Sequence, residues 1–180
     1  MPALTVSDMS TTEHAGTVAT GERADLLDSL GRHRYFLRFT TQNLTDEQAA
    51  RRSTTSELSI GGLIKHVGFV ESRWAGFITG GATAMGAAAE DDWVNGFRML
   101  PGETLKGLLD RYTEVAAQTD ELIRTVDLDS SWPLPEAPWY APNTSWSARR
   151  VTLHVIAETA QHAGHADIIR ESLDGQKTMG

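Results

Sequence analysis

The sequence predicts an all-α protein, a four-helix bundle with long connections after its second and third helices. Three observations carry this. Four long stretches repeat apolar side chains at three- and four-residue steps, the spacing of one helix face. Nowhere does the apolar–polar alternation of a strand run on, and no segment repeats. The two long connections leave room for crossovers between helices. At 180 residues the chain fits one domain, large enough to bury a core without disulfides or a structural metal.

Residues 1–21 are rich in Ser, Thr, Gly and Ala and read as a mobile tail, with residues 22–180 forming the single bundle domain. The first helix, over 22–42, carries Leu26, Leu27, Leu30, Phe36, Leu37 and Phe39. Thr45 suits the N-cap of a short turn that begins with Asp46 and Glu47. The second long helix, over 57–79, places Ile60, Leu63, Val67, Val70, Trp74 and Phe77 on one side, with Ser56 or Ser59 as its cap. Gly61 and Gly62 are weak helix formers near that start. "TGGATAMGAAAEDD" then reads as a flexible connector. The third helix, over 103–126, has an apolar face of Leu105, Leu108, Leu109, Tyr112, Val115, Leu122 and Ile123.

Residues 127–146, "DLDSSWPLPEAPWYAPNTSW", hold four prolines and three tryptophans, a density that excludes a helix. A connection this long without regular structure is uncommon unless it has a job. Trp132, Trp139, Tyr140 and Trp146 suit a lid or binding loop, and equally a well-packed crossover over the end of the bundle. The last helix, over 147–173, is capped by Ser145 or Ser147 and stopped by Gly175.

Composition removes several function classes. The net charge is −8 and no basic block exceeds Arg149-Arg150, which argues against nucleic acid or an anionic membrane as the main partner. No apolar run approaches the ~18 residues of a membrane span. "MPALTVSDMSTTEHAGTVATGE" lacks the basic start and apolar core of a secretory signal, so a cytoplasmic location is expected. There is no cysteine, and any thiol chemistry must come from a bound small molecule.

The last helix contains "LHVIAETAQHAGHADIIRE", residues 153–171, with polar groups where a core face is expected. With Glu158 at zero on a wheel of ~100° per residue, Val151 and Ile169 fall near +20° and Val155 near +60°. His162 falls near +40°, His165 near −20° and His154 near −40°. These polar residues therefore lie inside the apolar stripe, not opposite it. A buried carboxylate needs a partner. Either a protonated histidine pairs with Glu158, giving a structural network, or a divalent cation takes it together with imidazoles. On the second helix, His66 borders the face of Leu63, Val70, Trp74 and Phe77 and points into the bundle. A lone histidine there is most often an ordinary core residue; two inward polar sets on two helices make a metal site a strong rival. His33 and His14 have no such setting.

"SIGGLIKHVGFVESRW", followed some ninety residues later by "LHVIAETAQHAGHADIIRE", resembles the DinB-like superfamily of four-helix bundles. The nearest branch is that of mycothiol-dependent enzymes, which includes maleylpyruvate isomerase and mycothiol S-transferases. The resemblance covers residues 22–175. It implies a divalent metal held by one histidine of the second helix and a pair four apart on the last. Gly164 sets the register, so the implied ligands are His66, Glu158 and His162. Many relatives have His-x-x-x-His followed by Arg-Gly-Gln; here glutamate takes the first position, and His165 falls where glutamine is usual. His165 is then an outer or substrate-facing group, and His154, one turn before Glu158, orients that carboxylate from outside.

Three protein ligands leave a position open, the mark of a catalytic site. A thiol entering it is deprotonated. The expected function is transfer of a low-molecular-weight thiol, mycothiol or one like it, to an electrophilic small molecule in detoxification. Zinc suits the ligands best; nickel, manganese and iron also fit. His165, Arg170 and Trp146 are the substrate-binding candidates, with Arg149 and Arg150 as further groups for carboxylates. A homodimer through outer helix faces is compatible with such bundles. The rivals are a thiol-dependent isomerase, a hydrolase that activates water, an iron–oxygen enzyme and a non-catalytic metal-binding stress protein.

Overall fold

Helix starts follow local chemistry closely in the computed structural model, which describes residues 19–87, 89 and 94–178. The expected tail, up to residue 18, and the connector positions 88 and 90–93 lie outside the described residues. Helix α1 spans Glu22–Phe39. The short α2, Asp46–Ala50, is held by a capping box in which Thr45 and Gln48 satisfy each other's backbone N–H groups. Ser59 caps α3 (Ile60–Met85) by accepting from Gly62 N, and Thr104 caps α4 (Leu105–Thr125) by accepting from Gly107 N. Ser147 caps α5 (Ala148–Asp174), which ends at Gly175.

The four long helices close a ring: α1 packs on α5 and α4, and α3 packs on α4 and α5. Two apolar clusters fill it. Leu30, Trp74, Phe77, Ile123, Val151 and Val155 form one end. Leu37, Leu63, Ile64, Leu108, Ala166 and Ile169 form the other. The order of these residues along the chain sets the topology. Helices α1 and α5 run from the first cluster to the second, and α3 and α4 run back. The α3–α4 connection must therefore travel the length of the bundle, the crossover expected after the second helix. Its residues Phe97 and Met99 pack on the second cluster.

Two expectations are corrected. The second helix loses its regular geometry after residue 79, as expected, at Gly80 (φ −162°, ψ 27°) and Gly81 (φ 66°, ψ −153°), but the connector does not begin there: a further turn runs on to Met85. The left-handed φ at Gly81 is one that a side chain would resist. The connection after the third helix is not free of regular structure. It holds two three-residue strands, β1 (Ser131–Pro133) and β2 (Ser145–Ser147), paired antiparallel with Trp132 opposite Trp146. Strands this short leave no alternation to read in a sequence. The hairpin is fastened to the helix break: the Trp132 indole donates to Ile78 O at 3.2 Å and packs on Gly81.

Between the two apolar clusters lies a polar belt of Arg34, Glu71, Thr119 and Thr159, all buried. Arg34 donates to both Glu71 oxygens, with Nε 3.2 Å from Oε2, and to Asp120 Oδ1 at 2.7 Å. Among the described residues the buried Tyr112 hydroxyl has no hydrogen-bond partner of normal geometry. No helix among the described residues is long and apolar enough to cross a membrane.

Candidate metal centre and aromatic cleft

His66 is placed by the crossover. At the start of α3, a Cβ on Gly62 would sit 1.9 Å from Phe97 O, so only glycine lets the returning chain lie against the helix there. That close approach brings the Phe97 ring onto the His66 imidazole, stacked at 3.8 Å between centroids. The glycines that looked like a weakness in the helix are thus its docking point for the crossover.

Across the bundle, α5 presents Glu158 and His162 one turn apart on the same face. The His66 and His162 rings meet edge to face at 4.8 Å. Glu158 Oε2 lies 3.6 Å from His162 Nε2, and Glu158 Oε1 lies 3.8 Å from His154 Nε2. Both separations exceed a normal hydrogen bond. One donor atom each from His66, Glu158 and His162 lies within 4.8 Å of the others.

The electrostatics suit cation binding. Burial, reinforced by the neighbouring His162, pushes the His66 imidazole down to about 4, so it is neutral with a lone pair to give. The adjacent His162 holds the Glu158 carboxyl below the usual carboxylate range, against partial burial, with His154 and His66 adding to the effect. His154 is also lowered, first by burial. Two imidazoles and a carboxylate are a borderline donor set. Donors ~2.1 Å from a common centre at tetrahedral angles stand about 3.4 Å apart. The 3.6 Å pair already meets this, and side-chain adjustments of about an ångström bring in the third. The residues present therefore fit a divalent ion.

The family model for mycothiol S-transferase matches residues 25–175. The chain belongs to that family. No curated protein matches this chain as a relative. Among solved structures, a conserved protein from Enterococcus faecalis aligns over 88% of this chain and 100% of its own, with TM-score 0.68 and 13% identity. At that identity the likeness shows the DinB-like fold alone.

In this family member two of the three donors, His66 and Glu158, line a cleft of about 680 Å³. Trp74, Phe97, Trp139, Tyr140 and Trp146 supply aromatic walls, and residues 135–140 form one side. The proline-rich connection does both things expected of it: Leu134 and Trp146 pack on the first apolar cluster, and residues 135–140 border the cleft. Trp146 is fixed there by stacking on Trp74 at 5.1 Å and by edge contacts with Tyr140 and His154.

Two substrate-binding candidates fall elsewhere. Arg170 is 3% exposed, and its guanidinium is consumed by Asp174, Gln176 and the carbonyls of Thr40 and Gln42. It anchors the end of α1 to α5 through those carbonyls. His165 does not line the cleft; its Nδ1 lies 3.5 Å from His162 Nδ1, on the nitrogen opposite the one that faces Glu158. Arg149 is tied to Glu22 and Asp129, and Arg150 stacks over Trp146 at 4.1 Å. Sequence reasoning missed Phe97 and Arg73, which also line the cleft. Phe97 sits in a segment with no periodicity, and Arg73 looks like any solvated charge.

Proposed function

We propose that this chain is a metal-dependent mycothiol S-transferase that joins the thiol to an electrophilic small molecule. The observation that carries the proposal is the His66–Glu158–His162 cluster at an aromatic cleft, in a chain with no cysteine of its own. His66 and His162 would hold the ion through neutral imidazole nitrogens, and Glu158 would supply the charge that offsets part of the cation's. When bound, the cation lowers the pKa of an entering thiol and holds it as the nucleophilic thiolate. Zinc suits the donors best, with nickel, manganese and iron also accommodated.

The chain's other residues prepare the reaction. His154 Nε2 faces Glu158 Oε1 and keeps that carboxylate turned toward the cluster. The hairpin covers one side of the cleft, and the exposed Trp139 indole beside Tyr140 offers the apolar surface against which an electrophile would be oriented, while Trp74 and Trp146, stacked on each other, hold that wall in place. The reading places the protein in the cytoplasm, where thiol pools stay reduced.

Metal analysis followed by conjugation assays tests the proposal. The purified protein should carry about one divalent ion per chain. It should accelerate conjugation of a model electrophile with mycothiol more than with other bacterial thiols. Absence of the metal, or metal uptake and activity unchanged in His66→Ala, would sink it. Metal without thiol conjugation would leave the site and remove the transferase.

A further inference from the structure

We propose that Arg73 makes the cleft selective for electrophiles that carry a carboxylate on an aromatic ring. This deepens the transferase reading and rests on it only for the word electrophile; the binding selectivity stands on the cleft itself.

Arg73 is the one arginine or lysine that lines this cleft among the described residues. The other cations of the bundle interior are spent: Arg34 on Glu71 and Asp120, Arg170 on Asp174 and two carbonyls. Arg73 has no carboxylate partner among the described residues. Its guanidinium instead lies over the Phe69 ring, 5.5 Å from the centroid. A half-buried guanidinium with no ion pair keeps its fork of donors free for a planar carboxylate.

Its position relative to the metal-binding donors gives the ligand a size. Arg73 follows His66 by seven residues, two turns of α3, which sets both within about 20° on the wheel and about 10.5 Å apart along the axis. Helical side chains lean toward the N-terminus, and the Phe69 contact draws the guanidinium back by one turn. The gap left between it and His66 is about one turn, ~5.4 Å. A single aromatic ring spans that gap. Phe97, Trp74 and Trp146 wall the cleft but are stacked on His66 and on each other, so such a ring meets their edges and stacks on the exposed Trp139. Glu136 lines the same cleft but is solvent-exposed and makes no ion pair with Arg73.

In the reaction this implies, the thiolate sulfur attacks the ring carbon that bears the leaving group. The S–C bond forms, the C–halide bond breaks, and halide departs with the bonding pair while the thiol's proton goes to solvent. No oxidation or reduction occurs.

The test uses a chlorodinitrobenzoate and the matching neutral chlorodinitrobenzamide. Binding without thiol is read by quenching of tryptophan fluorescence, since Trp74, Trp139 and Trp146 line the cleft. The wild-type protein should bind the acid roughly tenfold more tightly than the amide, the scale of a charge-assisted pair. Arg73→Gln should erase the preference, and Arg73→Lys should keep part of it. Arg32→Gln, on the exposed side of α1 and outside the cleft lining, should leave it intact. In conjugation assays Arg73→Gln should raise KM for the acid roughly tenfold with kcat nearly constant, and leave KM for the amide unchanged. Equal affinities in the wild type overturn the proposal. So does a preference that survives Arg73→Gln, which would send the carboxylate to the metal, or a carboxylate preference found among thiols and not among electrophiles. If the acid is preferred through Arg73 but no thiol conjugates, the anion site stands and the transferase reading falls.

Discussion

Two polar insertions interrupt the apolar core of this bundle, and they are built oppositely. In the belt, Arg34 meets Glu71 through both oxygens and reaches Asp120 with its remaining nitrogen. Nearly every donor and acceptor has a protein partner, and Glu71 is wholly buried. In the cluster, Glu158 stands 3.6 and 3.8 Å from its nearest imidazole nitrogens, and His66 is held neutral. The belt satisfies itself and closes. The cluster converges without satisfying itself and opens on a cleft. Burial alone does not separate a structural polar network from a site; what separates them is whether the groups complete one another.

The comparison breaks most visibly at the belt. Glu71→Leu leaves Arg34 buried opposite an apolar group and should cost about 3–5 kcal/mol in urea unfolding, with Arg34→Leu/Glu71→Leu recovering most of the loss. His66→Ala should do the reverse. It should abolish stoichiometric metal binding and lower conjugation at least a hundredfold, while moving the urea midpoint of the metal-free protein little; a large loss of fold would place His66 in the structural class.

Acid titration sharpens the contrast. In the metal-free protein the folded His66 takes up its proton near pH 4, whereas the unfolded residue does so near pH 6.5. The unfolded chain therefore binds more protons between these values, and stability falls as pH drops through that window, by on the order of 2–3 kcal/mol. His66→Phe should flatten the slope; an unchanged slope would assign it to other groups. His154→Ala should weaken metal affinity by roughly tenfold, the usual scale for a residue that orients a ligand, with the fold intact. The smallest effect belongs to the belt's edge. Tyr112→Phe removes a buried hydroxyl that makes no well-formed hydrogen bond among the described residues and should leave stability unchanged or raise it by up to about 1 kcal/mol.

The four long helices and two of their caps were legible because helical period and capping chemistry are local. Ser59 and Ser147 cap by the side-chain bonds that such residues favour; Thr104 does the same but lay unmarked in its sequence, and α1 starts at Gly21 with no side-chain cap. Glu158, His162 and His66 were legible as inward polar groups for the same reason: a helix wheel needs no partner. Arg170 shows the limit. On the wheel it falls near +120°, outside the stripe around Glu158, and reads as a solvated charge, yet it is buried because the end of α1 brings the carbonyls of Thr40 and Gln42 to it. Glu71 went unremarked because a charge in an otherwise apolar face has no sequence mark of its partner 37 residues away.

By itself, then, the sequence determined the helices, the polar face of α5 and the absence of an internal thiol, all set by spacing and composition. Only the tertiary structure decided the rest. The crossover laid Phe97 on His66 through the glycines of α3, the short hairpin carried Trp139, Tyr140 and Trp146 to the cleft, and the packing left Arg73 without a counter-ion among the described residues. Each of these depends on contacts between segments far apart in the chain, and such contacts come into being only when the chain closes on itself.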